Sequence, residues 1–346
     1  MKKESEKMTK DEFYEYFKRL PKAELHLHIE AVVGRKTIRN FLKRRRPELD
    51  ESALDAEMTR LFDYSDLNGF IASYIEIQNL YDSVDDFDYL FSDLQDYILR
   101  NGLSYVEIFA APSAFLKRGW KFEDMLDSYA RNIRKIKAKT GVDVRMLVDV
   151  SRTFGAENAS KNLDLLLSYR VPEIIGIGLG GSEQKGPANL FGEVFERARA
   201  NGFHAVAHAG EDVGPESVWD TVNILKAERI GHGISSVQDD NLMKMLFEKQ
   251  IPLEVCPTSN VFTKKYVQEL SEHPIIDFFD RDLCVTLNTD DPLFFGVELL
   301  DEYWNAFNEI GFSVDDLKKI ARNSFKASFL SEKKKSEFIA LLDKVN

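Results

Sequence analysis

Two histidines, His26 and His28, stand two residues apart in the apolar stretch AELHLHIEAVV. Residues two apart on a β-strand point to the same face of the sheet, so both imidazoles are aimed at one point. Imidazole nitrogens are common ligands of divalent metal ions. The stretch therefore predicts part of a metal site, with further ligands supplied by other parts of the chain.

Three more stretches place a histidine or a carboxylate at the end of an apolar run. HAGE contains His208 and Glu211, GHG contains His232, and NTDDP contains Asp290 and Asp291. Catalytic zinc takes about three or four nitrogen and oxygen ligands and keeps a position for water. We predict one zinc ion per chain with these ligands: His26, His28, His208 and Asp290.

The other polar groups of this set suit water activation and proton transfer. A bound divalent ion lowers the pKa of water to about 7, which makes hydroxide available in neutral solution. Glu211, three residues past His208, is predicted to give or take a proton. His232 is predicted to hold or deprotonate the water, and Asp291 to orient water or substrate.

Eight short apolar runs alternate with segments of helical period, and this alternation predicts a parallel sheet. In 346 residues they predict one (β/α)8 TIM barrel domain over residues 1–346. A lid of extra helices is expected after the first strand, over about residues 31–102. A doubly wound open sheet is the alternative, but HIEAVVGRK is not the Gly-rich phosphate turn that it needs. The predicted strands are 23–29, 103–110, 143–150, 173–179, 203–210, 229–233, 252–256 and 283–291.

A barrel brings the polar groups together because the carboxyl ends of its strands form a single rim. Two histidines are left out of the site. His204, four residues deeper than His208, is predicted to pack inside the barrel or to support the ligands. His273, in SEHP, is predicted to be an ordinary loop residue.

Composition excludes several classes of protein. A formal charge of −12 opposes binding to nucleic acids or anionic membranes. Cys256 and Cys284 are too few for a disulfide framework or a Cys-based zinc site. No apolar run approaches the ~18 residues of a membrane span, and the first residues lack a signal-peptide pattern. We expect a cytoplasmic protein with a small-molecule substrate; the oligomeric state is left open.

Six motifs resemble those of the adenosine deaminase family, within the metal-dependent amidohydrolase barrels, in family order and spacing. They are PKAELHLHIE (21–30), GLGGSE (178–183), HAGEDVGPESVW (208–219), ERIGHG (228–233), PLEVCPTSNV (252–261) and TLNTDDP (286–292). The resemblance implies hydrolytic loss of the 6-amino group of adenosine or 2′-deoxyadenosine, giving inosine or 2′-deoxyinosine and ammonia, in purine salvage.

The resemblance also implies individual roles. The four predicted ligands match the metal ligands of the family, Glu211 matches the residue that protonates a purine ring nitrogen, and His232 matches the residue that orients the water. Gly181 contacts the base through its backbone, Phe70 and Tyr74 are apolar lid positions, and Glu30 faces a sugar hydroxyl. The full set of expected substrate contacts is His28, Glu30, Phe70, Tyr74, Gly181 and Asp291.

Two departures from the family pattern leave the substrate open. Glu30 is followed by Ala31, Val32 and Val33 where the family has glycine and a small or polar residue. Residue 178 is glycine where the adenosine enzymes often have aspartate. We predict that the Val32–Val33 pair shapes specificity at the sugar 5′ position. Free adenine and 5′-modified adenosines, such as aminodeoxyfutalosine or methylthioadenosine, are the alternative substrates.

Other classes fit less well. A binuclear amidohydrolase often bridges its metals with a lysine from the fourth strand, and residues 177–181 contain none. The zinc deaminases of nucleic-acid bases share the H-x-E pattern of residues 28–30, but their P-C-x-x-C partner is absent. A non-catalytic barrel is possible because fold does not fix function, but it has no reason to keep every ligand and both proton-transfer groups.

Overall fold

The computed structural model describes residues 8–65 and 67–345, so residues 1–7, 66 and 346 of the predicted domain range lie outside it. Within this part of the chain, eight strands form one parallel sheet in sequence order. The predicted (β/α)8 barrel is therefore confirmed. The strands are β1 (Ala23–Glu24), β2 (Tyr105–Ala110), β3 (Asp143–Asp149), β4 (Ile174–Gly178), β5 (His204–Ala209), β6 (Arg229–His232), β7 (Leu253–Val255) and β8 (Val285–Leu287).

The first strand is shorter than the predicted run 23–29, because its second half pairs only through isolated bridges. Leu27 bridges Asp290 and His28 bridges Phe109, both in parallel orientation. The His28 N–H donates to the Asp290 carbonyl at 3.0 Å, and the Asp290 N–H donates to the His26 carbonyl at 3.1 Å. These bonds join the first and eighth strand ends and close the barrel where the predicted ligands lie.

Helices surround the sheet and join its strands. They are α1 (Lys10–Arg19), α2 (Arg35–Arg45), α3 (Glu51–Leu61), α4 (Leu67–Gln78), α5 (Phe87–Asn101), α6 (Ser113–Lys117), α7 (Phe122–Thr140), α8 (Gly155–Ser168), α9 (Gly192–Ala200), α10 (Pro215–Asp220), α11 (Asp240–Lys249), α12 (Pro257–Thr263), α13 (Ile275–Asp280), α14 (Pro292–Phe295), α15 (Leu299–Asn305), α16 (Val314–Ala327) and α17 (Glu332–Leu342). None of these described helices is both long and apolar enough to cross a membrane.

Helix α16 shows why the sequence forms these elements. Ser313 and Asp316 make a reciprocal capping box that satisfies backbone N–H groups at its first turn. Leu317, Ile320 and Ala321 are buried at helical spacing and form the stripe that packs against β8 and β1.

Four helices, α2 to α5, lie between β1 and β2, which confirms the predicted insertion of extra helices after the first strand. Helix α4 approaches the rim of the barrel through two aromatic side chains. The Phe70 ring lies 5.2 Å from the Phe294 ring, and the Tyr74 ring stacks on Phe294 at 5.3 Å. The insertion therefore covers the side of the rim next to the β8 end.

The barrel interior combines an apolar layer with a buried ion network. Arg229 is 1% exposed and contacts Glu107 at 2.6 Å and Glu254 at 2.5 Å. Buried charges are tolerated when they are paired and hydrogen-bonded in this way. The apolar layer consists of Phe109, Leu147 and Val206.

Two sequence predictions about histidines are wrong. His204 begins β5, at the barrel end opposite the ligand rim, and its side chain is 39% exposed, stacked on Phe329 at 3.7 Å and facing Glu228. Its side chain does not pack inside the barrel because β5 begins at this residue, at the end of the barrel opposite the predicted ligands. His273 is fully buried and hydrogen-bonded to Asn260 at 3.2 Å, so it is no ordinary loop residue.

Candidate active site

The structure brings the four predicted ligands together at the carboxyl ends of the strands. The two Nε2 atoms of His28 and His208 are 3.2 Å apart. Asp290 Oδ1 lies 3.3 Å from His28 Nε2 and 3.4 Å from His26 Nε2. Ligands about 2.0–2.1 Å from a tetrahedral zinc ion lie roughly 3.3–3.4 Å from one another. The measured separations fit ligands that share one small cation.

His232 also belongs to this cluster. Candidate ligand atoms of His26, His208, His232 and Asp290 all lie within 4.8 Å of one another, and His28 groups with Asp290 and Asp291 on the same criterion. Among the described residues, His26 Nε2 is buried without a hydrogen-bond partner. Leaving such an atom unpaired costs about 1–3 kcal/mol, which a cation at this position would offset. The donor set therefore fits a divalent metal ion.

One ligand is oriented by a buried carboxylate that sequence reasoning missed. Glu254 Oε2 lies 2.8 Å from His26 Nδ1, and its other oxygen contacts Arg229. Metal-binding histidines usually donate their second N–H to such a group, which turns the other nitrogen toward the metal. Nδ1 of His208 has no comparable partner within the described chain. An acidic residue inside the apolar run PLEVC was the available signal.

We expect Glu254→Gln to lower the affinity for a divalent metal by about 10- to 100-fold, the usual effect of losing a partner that orients a ligand. Competition with a chromophoric chelator measures this affinity directly. Glu107→Gln is the matched control, because it removes the other carboxylate that pairs with Arg229 and leaves the contact between Glu254 and His26 in place. Equal losses of affinity in both variants would assign the effect to Arg229 and contradict the prediction.

Glu211 lies on the turn after β5, with its side chain 15% exposed, and it lines the cavity above the ligands. Glu183, also missed from the sequence, holds this turn by accepting N–H bonds from Gly210 at 2.9 Å, Glu211 at 2.8 Å and Asp212 at 3.1 Å. Burial, with added repulsion from Asp290 and Glu183, raises the pKa of Glu211 well above its usual value. A carboxyl whose pKa is raised in this way is suited to act as a general acid.

A chain of hydrogen bonds assigns the tautomer of His232. The Ile275 N–H donates to His273 Nδ1 at 3.1 Å, so His273 Nε2 is the donor to Asn260 Oδ1 at 3.2 Å. The Asn260 amide then donates to His232 Nδ1 at 3.0 Å. Burial lowers the pKa of His232 to about 4, so the ring is neutral at pH 7. Its single N–H is therefore on Nε2 and faces the cluster, 3.5 Å from Glu211 Oε2.

Two residues of the cluster have an unusual backbone. His232 has φ 62° and Asp290 has φ 64°, in the left-handed region that side chains other than glycine rarely adopt. Such a residue costs about 1–3 kcal/mol and persists where the surrounding structure holds it. The backbone strain at both strand ends coincides with the cluster, as is typical of functional sites.

The cavity above the cluster has an empty volume of about 1010 Å³, which includes its mouth open to solvent. Asp291 lines it, with Oδ1 unpaired among the described residues and a pKa raised by burial and by Asp290. Other predicted contacts that line it are His28, Phe70, Tyr74 and Gly181.

Glu30 is placed differently from the other predicted contacts. Its carboxylate is 2% exposed, accepting from the Ala111 N–H at 2.8 Å and from the Tyr74 hydroxyl at 3.1 Å, and Glu30 does not line the cavity. Val32 and Val33 are buried in the core and do not line it either. The predicted contact of Glu30 with a sugar stays a prediction, since its carboxylate here joins α4 to the loop after β2.

Comparison with known proteins gives consistent matches over almost the whole chain. The family model described as adenosine deaminase matches residues 21–345. An adenine deaminase of Crocosphaera subtropica is 34% identical over 318 residues, covering 92% of this chain and 97% of its own. An aminodeoxyfutalosine deaminase of Streptomyces avermitilis is 34% identical over 337 residues, covering 97% and 94%. The crystal structure of an adenine deaminase from Arthrobacter aurescens superposes with a TM-score of 0.88 at 29% identity, covering 94% and 98%.

Proposed function

We propose, from the premise that this chain belongs to the adenosine deaminase family, that it removes the 6-amino group of an adenine-bearing substrate without a phosphate. The chain is a hydrolytic deaminase of that family. Free adenine is our first candidate for the substrate, and zinc is our candidate for the metal.

The observation that carries this proposal is the ligand cluster with Glu211 beside it. His26, His28, His208 and Asp290 would hold the metal, and Asp290 lies 3.9 Å from His232 across the same cluster. When bound, a divalent cation supplies Lewis-acid activation of water. Nitrogen and oxygen ligands of this kind are those that catalytic zinc uses.

The protein side chains supply the rest of the chemistry. The oxygen of water adds to C6 of the purine and a proton is added to the adjacent ring nitrogen. The C6–N bond then breaks as the amino group takes a second proton and leaves as ammonia, so that C6 becomes a carbonyl carbon. The Glu211 carboxyl is placed to donate the proton to the ring and to regain one from the water. His232 donates from Nε2–H and so holds the water, since its neutral ring has no free nitrogen on that side to accept a proton. Asp291, with one oxygen unpaired, is placed to orient the base.

The charged side chains that line the cavity indicate whether the substrate carries a phosphate group. Among the described residues that line it, none is lysine or arginine, and five carry carboxylates. Proteins usually bind a phosphate with cationic side chains or helix N-termini, and the described lining of this cavity offers no lysine or arginine. A nucleotide is therefore a poor substrate in this proposal. The five carboxylates are Asp149, Glu211, Asp212, Asp290 and Asp291.

Within the remaining class, free adenine is supported by the adenine deaminases among the relatives. It is also supported by Glu30, whose carboxylate accepts from the Tyr74 hydroxyl and the Ala111 N–H and does not line the cavity. A 5′-modified adenosine is the second candidate. The cavity lining includes Ile71, Ile75 and Phe154, apolar side chains of the kind that suit a 5′ substituent, and one relative is named for such a substrate.

A substrate panel tests the proposal. Ammonia release should be measured for adenine, adenosine, 2′-deoxyadenosine, methylthioadenosine, aminodeoxyfutalosine and AMP. We expect kcat/KM to be highest for adenine and lowest for AMP. A preference for a 5′-modified adenosine would select the second candidate. A preference for AMP would contradict the charge argument, and no ammonia from any compound would contradict the proposed function.

A further inference from the structure

A carboxylate at the end of β3 has no role in the chemistry described so far. Asp149 is 4% exposed and lines the cavity. Its Oδ1 accepts N–H bonds from Ser151 at 2.6 Å and Gly180 at 3.1 Å, which fixes the orientation of the carboxylate. Within the described residues, no hydrogen bond reaches Oδ2, and this oxygen is not among the fully buried, unpaired atoms. Oδ2 is thus a rigidly held acceptor that opens to the cavity.

Gly180 makes room for this oxygen. A Cβ atom at residue 180 would lie 2.4 Å from Asp149 Oδ2, too close for the oxygen to stay in place, and 3.3 Å from the His208 ring, a tight contact. The next residue, Gly181, has φ 98° and presents its backbone to the same cavity. The glycine turn and the Asp149 carboxylate therefore form one wall, built from the ends of β3 and β4.

The position of this wall determines which edge of a purine it meets. C6 and its neighbouring ring nitrogen must face the ligand cluster and Glu211, where the chemistry occurs. The N3 and N9 edge lies on the opposite side of the ring system and faces the remaining walls. Asp149 belongs to the lining of the same cavity as Tyr74 on the lid helix α4. A carboxylate accepts hydrogen bonds only, so its partner at this edge must be a donor.

We propose that Asp149 is a specificity-determining residue whose Oδ2 accepts a hydrogen bond from a donor at the N9 side of the purine. The donor is the N9–H of free adenine or a hydroxyl of a sugar attached to N9. This inference rests on the proposed function and adds the group that distinguishes substrates carrying such a donor. A buried acceptor left without its donor is penalised, and the site therefore rejects analogues that lack it.

Asp149→Asn tests the inference with little structural change, because the amide oxygen still accepts from Ser151 and Gly180. The other position becomes an NH₂ group, a donor where the substrate needs an acceptor. The values of kcat/KM are compared between adenine and 9-methyladenine, and between adenosine and its 2′-deoxy and 3′-deoxy analogues. Metal content and thermal stability are measured for each variant.

We expect a loss of about tenfold or more on the substrate that carries the contacted donor, the scale of a hydrogen bond to a charged group. On the analogue that lacks the donor, the change should stay within about twofold, as for groups that do not interact. A selective loss on adenine identifies the N9–H, and a selective loss on adenosine identifies a sugar hydroxyl. Asp143→Asn, at the other end of β3, is the matched control and should leave both values unchanged.

Gly180→Ala provides a second variant in case Asp149→Asn does not fold. Its methyl group would displace Oδ2 and also crowd the His208 ring, so the comparison is made on protein with full metal content, where the same selective loss is expected. Equal losses on all substrates, or no loss, would overturn the role of Asp149 while the deaminase proposal stands. A wild-type enzyme that releases no ammonia from any 6-aminopurine would overturn the proposed function and this inference with it.

Discussion

His208→Ala is expected to lower kcat/KM for deamination by at least about 10³-fold, because Lewis-acid stabilisation is worth several kcal/mol and each 1.36 kcal/mol is tenfold. The substitution removes the Nε2 atom that lies 3.2 Å from His28 Nε2 in the ligand cluster. Elemental analysis should find one zinc ion per chain in the wild-type protein and much less than one in the variant.

The control is His204→Ala, which removes an imidazole from the other end of the same strand. It should keep the metal and the activity, since His204 lies at the opposite end of the barrel on Phe329. A His208→Ala protein with full metal content and normal rate would remove His208 from the ligand set. Two metal ions per wild-type chain, or none, would contradict the proposal of a single zinc.

Glu211→Gln is expected to lower kcat by roughly 10²- to 10⁴-fold, the usual contribution of a general acid, while the metal content is unchanged. The glutamine side chain preserves size and polarity but has no proton of comparable acidity to donate to the purine ring. Burial raises the pKa of the Glu211 carboxyl, which favours its proton-bearing form, and the amide has no such acidic proton. Steady-state kinetics with metal analysis separate the two effects.

Glu216→Gln, on α10 after the same turn, serves as the matched control. Its substitution should leave kcat near the wild-type value, because Glu216 does not line the cavity. If Glu211→Gln retains a near-normal rate, another group supplies the proton. If it loses the metal together with the rate, Glu211 acts on the ligand cluster and not on the purine.

The eight strands and the ligand cluster followed from local patterns in the sequence. Apolar runs bounded by helical segments predict parallel strands, and the polar residue that ends such a run must face the rim of a barrel. His26, His208 and Asp290 could therefore be placed together although they are far apart in the chain. The family assignment rested on the same stretches, because they carry the residues that the chemistry needs.

Other features depend on contacts between distant segments, which no local pattern encodes. Glu254 and Glu183 look like ordinary acidic residues in the sequence, yet one orients His26 and the other holds the turn of Glu211. Glu30 is predicted to face a sugar hydroxyl, and only the packing of α4 shows that the Tyr74 hydroxyl donates to its carboxylate.

His273 is another residue whose surroundings the sequence did not predict. A histidine in the loop stretch SEHP carries no sign of burial, because its environment is made by α12 and the end of β6. The residue types and their order along the chain predicted the barrel, the family and a candidate ligand set. Only the tertiary structure decided which donor pairs with each acceptor, because these pairs form when the strand ends close into one rim. The tautomer of His232 and the open Oδ2 of Asp149 both depend on that closure.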